Sequence, residues 1–245
     1  MQIHRYEHPL NEKVRIYLRL EHLLKQLHDS SELSDPWQYT IFFNALFDLL
    51  ELIEQIPVKT DLAKALDKQS TKLKAWLDYD GVDPTAIQSL LDNMSHAQKN
   101  LLAAPRLGQS LREDRFLSSI RQRFSIPGGT CSFDLPALHY WRQQPLEERQ
   151  QTTQAWIDQL AEIDQALNLW LHLIRQSAQY QPQSAHNGFF QNDASLSCLL
   201  RIEIDASYGV YPVVSGHRSH FSIRFSPYED GSTVATNIDF KLAIC

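Results

Sequence analysis

Positive charge gathers in two places along a chain of 245 residues whose formal net charge is −6. Between Leu101 and Ser125 stand Arg106, Arg112, Arg115, Arg121 and Arg123, against only Glu113 and Asp114. On a single helix over 109–124, Arg112, Arg115 and Arg123 fall within roughly 80° of one another, beside an apolar stripe of Phe116, Leu117, Ile120 and Phe124. The second place is HRSHFSIRF at 217–225. Read as one strand, it puts Arg218, His220, Ser222 and Arg224 on the face opposite Phe221, Ile223 and Phe225. At 3.3 Å per residue Arg218 and Arg224 are about 20 Å apart, which suits an extended peptide better than a small metabolite. Guanidinium groups take carboxylates bidentately, so the chemistry on offer is capture of a carboxylate-bearing chain. The blander alternative is a basic sheet face that does no more than meet water.

Other constellations offer less. Neither the dinucleotide-binding fingerprint nor the Walker sequence occurs, and Pro127-Gly128-Gly129 lacks the lysine and the helix that should follow. There is no G-x-S-x-G elbow. His4 and His8 stand four apart, but Pro9 disfavours a helix there, and His217 and His220 point to opposite faces of one strand. Glu113 and Asp114 diverge by about 100° on a helix and make no acid/base pair. Cys131, Cys198 and Cys245 are odd in number and widely spaced, so they read as free thiols. The alternative function this leaves open is a small-molecule enzyme with a site at the helix-sheet junction, near Cys131, His139 and the 186–191 segment. The leading reading expects no catalytic residue, no metal and no cofactor. A pI near 5.9 argues against a nucleic-acid partner. No apolar run approaches the roughly 20 residues of a bilayer span, and MQIHRYEHPLNEK has no apolar segment of a secretion signal. The expected compartment is the cytoplasm, with no membrane insertion.

The elements that position these residues follow from hydrophobic period. Val14, Tyr17, Leu18, Leu20, Leu24 and Leu27 recur at three- and four-residue steps, predicting a helix over 12–28. Asp35-Pro36 and Asp83-Pro84 look like N-cap and first-turn proline pairs, each opening a helix: 37–56, and 84 to about 102. Between them a helix from Thr60 or Asp61 carries Leu62, Leu66, Leu73, Trp76 and Leu77 and stops at Gly81. Further helices are predicted over 109–124 and over 146–178, the latter as one long helix or two, with a short element near 136–142 between them. After Tyr180 the period changes to two. Leu200, Ile202 and Ile204 alternate with Arg201, Glu203 and Asp205, and 220–225 and 236–244 repeat the pattern. Short strands at 1–6 and 131–133 are further candidates. The predicted class is α+β: a mainly helical domain over 1–180, then a small antiparallel β-strand domain over 181–245.

The segments EHPLNEKVRIYLRLE (7–21), LREDRFLSSIRQRFSIPGGTCSFDLPALHYW (111–141), LIRQSAQYQPQSAHNGFFQ (173–191), SGHRSHFSIRF (215–225) and IDFKLAIC (238–245) resemble the bacterial cell-division ZapD family, along essentially the whole chain. The resemblance implies a non-enzymatic factor that joins the Z-ring at midcell, with a helical domain joined to a β-strand domain, forming a homodimer. It implies binding to the C-terminal tail of FtsZ, the tubulin-like GTPase, and bundling of its filaments. The family's basic pattern on the strand falls on Arg218, His220 and Arg224, with histidine where arginine is common, so the charge at that step depends on pH. Arg115 in LREDR matches a family segment, with Arg112 and Arg123 on the same stretch, and Lys59 in PVKT stands where the family carries a basic residue. A mobile tail loses conformational freedom on docking, so one contact is modest and salt-sensitive, and a symmetric dimer with two sites gains by avidity.

Overall fold

The computed structural model describes residues 2–78, 83–194, 197–217, 220–229, 231, 234 and 237–245. It is α+β as the sequence predicts, with helices concentrated first and an antiparallel sheet after them. The chain divides into two compact units, Leu20–Trp170 and Met1–Arg19 with Leu171–Cys245.

The helices, in chain order, are α1 (Glu12–Ser30), α2 (Gln38–Gln55), α3 (Val58–Lys74), α4 (Pro84–Ala103), α5 (Gln109–Glu113), α6 (Arg115–Phe124), α7 (Pro136–Arg142), α8 (Leu146–Asp158) and α9 (Ala161–Gln176). The helical unit packs around Phe43 of α2, which is fully buried. Its ring centroid lies 5.3–6.1 Å from those of Phe42, Phe47, Phe116, Phe124, Trp141 and Trp156. Those distances suit offset and edge-to-face aromatic packing. Asp83 caps α4 as predicted, accepting from the Thr85 backbone N–H at 2.9 Å.

Two sequence expectations are corrected here, and one alternative left open is decided. The helix over 109–124 is two helices, because Asp114 turns its side chain to accept from the Leu117 N–H at 2.8 Å and starts α6 afresh. The 146–178 stretch divides at Gln159–Leu160 into α8 and α9. Cys131–Phe133 is no strand: the Asp134 and Leu135 N–H groups both donate to the Cys131 carbonyl, which closes a turn.

Among the described residues the second unit has seven strands: β1 (Ile3–Pro9), β2 (Gln181–His186), β3 (Phe189–Asp193), β4 (Leu199–Asp205), β5 (Val210–His217), β6 (His220–Pro227) and β7 (Asn237–Ile244). They form one antiparallel sheet in the order β1-β4-β7-β2-β3-β6-β5. The predicted alternation holds: Leu200, Ile202 and Ile204, then Phe221, Ile223 and Phe225, then Ile238, Phe240 and Leu242 are all buried on one face. The N-terminal strand pairs with β4 from Ile3↔Asp205 to Pro9↔Leu199, so it runs further than the expected 1–6. On its far side, Glu7 receives both Arg175 Nε and Nη2, at 2.8 and 2.7 Å, while Arg201 Nε lies 3.5 Å from the same carboxylate. Arg201 also donates to the Arg175 carbonyl and stacks over Tyr180.

Sequence reading passed over β2, β3 and β5. Strand β2 is polar, with Ala185 its one fully buried residue, and it contains Pro182. Proline is tolerated because β2 has a partner there on the β7 side alone; its pairing to β3 is confined to His186↔Phe189. A signal was present in Asn187-Gly188. Both take positive φ, 49° and 70°, as a two-residue hairpin turn of the I′ kind requires.

Candidate functional site

The strand cluster and the helical cluster have different fates in three dimensions. Strand β6 begins at His220, and His217 belongs to β5 and pairs with His220, so the expected single strand over 217–225 is a hairpin instead. Arg218 lies outside the described residues. His220, Ser222 and Arg224 do share the outer face, set there by the burial of Phe221, Ile223 and Phe225 on the inner one.

Arg224 stands at the centre of this face. Its register partners are Phe189 on β3 and Val213 on β5, and Tyr211 follows next along β5. All three are exposed for apolar side chains: Phe189 43%, Val213 49%, Tyr211 42%. Among the described residues the Arg224 guanidinium has no ion-pair partner. Four residues along, His220 Nε2 lies 3.0 Å from Asp193 Oδ1, an exposed pair in which a protonated imidazole has its charge met locally. The sheet's other end has the opposite sign. There Glu203, Asp205, Asp239 and Lys241 line a depression of about 590 Å³. The Ser207 backbone N–H holds the Asp205 carboxyl below its usual pKa.

The helical cluster is dispersed. Arg115 opens α6 and is exposed, and Arg123, in its last turn, lies 3.7 Å from Asp134. Arg112 is on the other side of the Asp114 break, with Nη2 donating to the Leu107 carbonyl at 2.9 Å. The predicted ridge of Arg112, Arg115 and Arg123 on one helix is therefore absent. Arg112 is instead brought together with Lys59, which sequence reasoning had kept apart: both line a cavity of about 390 Å³ with Arg106.

Cys131 and His139 are both exposed, and no hydrogen bond joins them among the described residues. The 186–191 segment forms the β2–β3 turn and the start of β3, in the other unit. No disulfide joins Cys131, Cys198 or Cys245, as predicted, and burial pushes the Cys245 thiol up. Among the described residues no group of three or more His, Cys, Asp or Glu could hold a metal ion, and no helix is long and apolar enough to cross a membrane.

Sequence patterning placed Trp76 and Leu77 within the helix that starts at Thr60 or Asp61. They sit in a 3-10 turn, Ala75–Asp78, after α3 ends at Lys74, and they are exposed, 51% and 38%. An exposed tryptophan two residues beyond Lys74 is a surface the charge pattern alone did not reveal.

The sequence model of one family, ZapD, described as a cell division protein, matches residues 18–224. The chain belongs to the ZapD family. Full-length relatives agree: it is 59% identical to the cell division protein ZapD of Photobacterium profundum, over all 245 residues and the whole of that protein. Identity is 51% to ZapD of Vibrio atlanticus, again over the whole of both chains. It is 47% to ZapD of Vibrio cholerae, over the same extent. A role in cell division follows for this ZapD-family chain, and names that describe a division factor fit a protein without catalytic activity.

Proposed function

We propose that this ZapD-family protein is a non-enzymatic, cytoplasmic division factor that binds the C-terminal tail of FtsZ and, as a homodimer, crosslinks FtsZ filaments at midcell. The observation that carries the reading is Arg224, a cation without an ion-pair partner among the described residues, flanked across strands by exposed Phe189 and Val213. A peptide with carboxylates and apolar side chains satisfies both kinds of group at once, and an extended chain can run along β6 past His220. Arg218, Arg112, Arg115, Arg123 and Lys59 are the further candidates for contact with the tail. One site per protomer decorates a filament, and two sites in a symmetric dimer join neighbouring filaments by avidity.

The test is co-sedimentation of FtsZ filaments with the wild-type protein and with Arg224→Glu, alongside FtsZ lacking its tail. Bundling is expected to disappear in the variant and with tail-less FtsZ, while circular dichroism and thermal unfolding of the variant stay as in wild type. Bundling of tail-less FtsZ would defeat the proposed function. Retained bundling by Arg224→Glu, with loss in Trp76→Ala, would move the tail to the exposed Trp76-Leu77 turn of the helical unit.

A further inference from the structure

The cavity of about 390 Å³ in the helical unit is not explained by tail capture on the sheet. Its wall comes from the end of α2, the first turn of α3 and the 106–112 segment, and Glu54, Lys59, Thr60, Arg106, Leu107 and Arg112 are among its lining residues. Three cations thus meet one carboxylate, in a protein that is acidic as a whole. Among the described residues none of the three has a carboxylate within ion-pair distance, whereas Arg5, Arg15, Arg123, Arg175 and Arg201 each have one.

What Lys59 and Arg112 hold instead are neutral carbonyls. Lys59 Nζ donates to Ala104 O, and Arg112 Nη2 donates to Leu107 O. An ammonium has three donors and a guanidinium five, so each keeps donors to spare. Arg112 Nη1 is buried and has no hydrogen-bond partner among the described residues. The first turn of α3 adds more. Val58 N donates to Ile56 O at 2.8 Å and Asp61 N to Pro57 O at 3.0 Å, but the Lys59 and Thr60 N–H groups between them reach no protein acceptor among the described residues. The α3 N-terminus has no side-chain cap. Cations with neutral partners and free helix-terminal amides, gathered around one concavity, form the donor set that a phosphate group satisfies.

From this juxtaposition we propose a second binding site, one that takes Lys59 and Arg112 out of the set offered to the tail, in which Lys59, Arg106 and Arg112 hold the phosphate of a small phosphomonoester. The Lys59 and Thr60 amides complete the oxygen contacts. The volume exceeds what a bare phosphate fills, and Ile53, Ile56 and Leu107 supply an apolar wall for the rest of the ligand. An organic phosphomonoester therefore binds more tightly than inorganic phosphate.

The experiment is a titration of full-length, isotope-labelled protein with inorganic phosphate and with phenyl phosphate, each against sodium chloride at equal ionic strength, read at the backbone amides by NMR. Shifts concentrated at Lys59 and Thr60 are expected, with tighter binding of phenyl phosphate. Arg106→Gln, an exposed substitution that spares the carbonyl contacts, should weaken binding about tenfold, and Lys59→Gln by at least as much. Should Lys59→Gln fail to fold, Arg106→Gln alone decides. No saturable shift with either phosphate, or equal affinity in Arg106→Gln, overturns the site. So does a shift at Lys59 and Thr60 produced by an FtsZ tail peptide but by neither phosphate, since the cavity then belongs to the tail. Pelleting with vesicles containing phosphatidic acid, without binding of free phosphomonoester, assigns these cations to a lipid surface and also overturns it.

Discussion

The two arginine clusters began as equals and part company in the fold. In the sheet, Phe221, Ile223 and Phe225 must face inward, and a period of two then leaves Arg224 no choice of side. In the helices, the angle between Arg112 and Arg115 depends on an unbroken ladder, and one capping side chain, Asp114, resets it. From His220 to Arg224 the charge pattern read along a half-buried strand survives folding, whereas the one read along a helix that contains its own start signal does not.

The largest effect that can break this contrast is on bundling. Arg224→Glu is expected to abolish it in co-sedimentation, while Arg115→Glu, on the dispersed cluster, reduces it by no more than a few-fold. Equal loss in both would mean that the tail reads the two clusters together. Next in size is Glu7→Gln, which leaves the half-buried Arg175 and Arg201 without their shared carboxylate. Urea denaturation should show a loss of about 1–3 kcal/mol, and no loss would make that network ornamental. Asp114→Ala removes the α6 cap and the 3.4 Å contact from Trp156 Nε1, at about 1–2 kcal/mol. Asp114→Asn should recover most of that stability, and if the alanine variant is as stable as wild type, the cap does not set the break.

The smallest effect is on pH dependence. Burial, with the Arg15 charge second, lowers the pKa of His8 from its free value of 6.5. The unfolded chain then binds the proton more readily than the folded one. Stability is full above 6.5, falls as pH drops through that value towards the folded pKa, and is level below it. His8→Gln should flatten that part of a stability-against-pH curve. An unchanged slope would place the dependence elsewhere.

Much of the frame was legible from residue pattern. Asp83-Pro84 marked a helix start, and the alternations at 200–205, 220–225 and 236–244 marked strands, because both signals are local. Strands β2 and β5 were not legible, since a strand such as Gln181–His186, carrying one fully buried residue, has no alternation to display and is held by its neighbours. The meeting of Lys59 with Arg112 was hidden for a different reason: 53 positions separate them, and only the packing of α2, α3 and the 106–112 segment closes that distance. Exposure of Trp76 was hidden too, because helical spacing carried it into the helix from Thr60 or Asp61, whereas α3 ends two residues earlier.

Strand β5 ends the sheet, and Pro212 lies within it opposite Phe225. The Phe225 N–H is directed to Gly188 O on the other side of β6, so the ladder asks nothing of position 212, whose nitrogen looks outward. The proline therefore subtracts a donor from the rim where another molecule's strand could attach. A protein proposed to tie polymers side by side in this way guards against becoming a polymer itself.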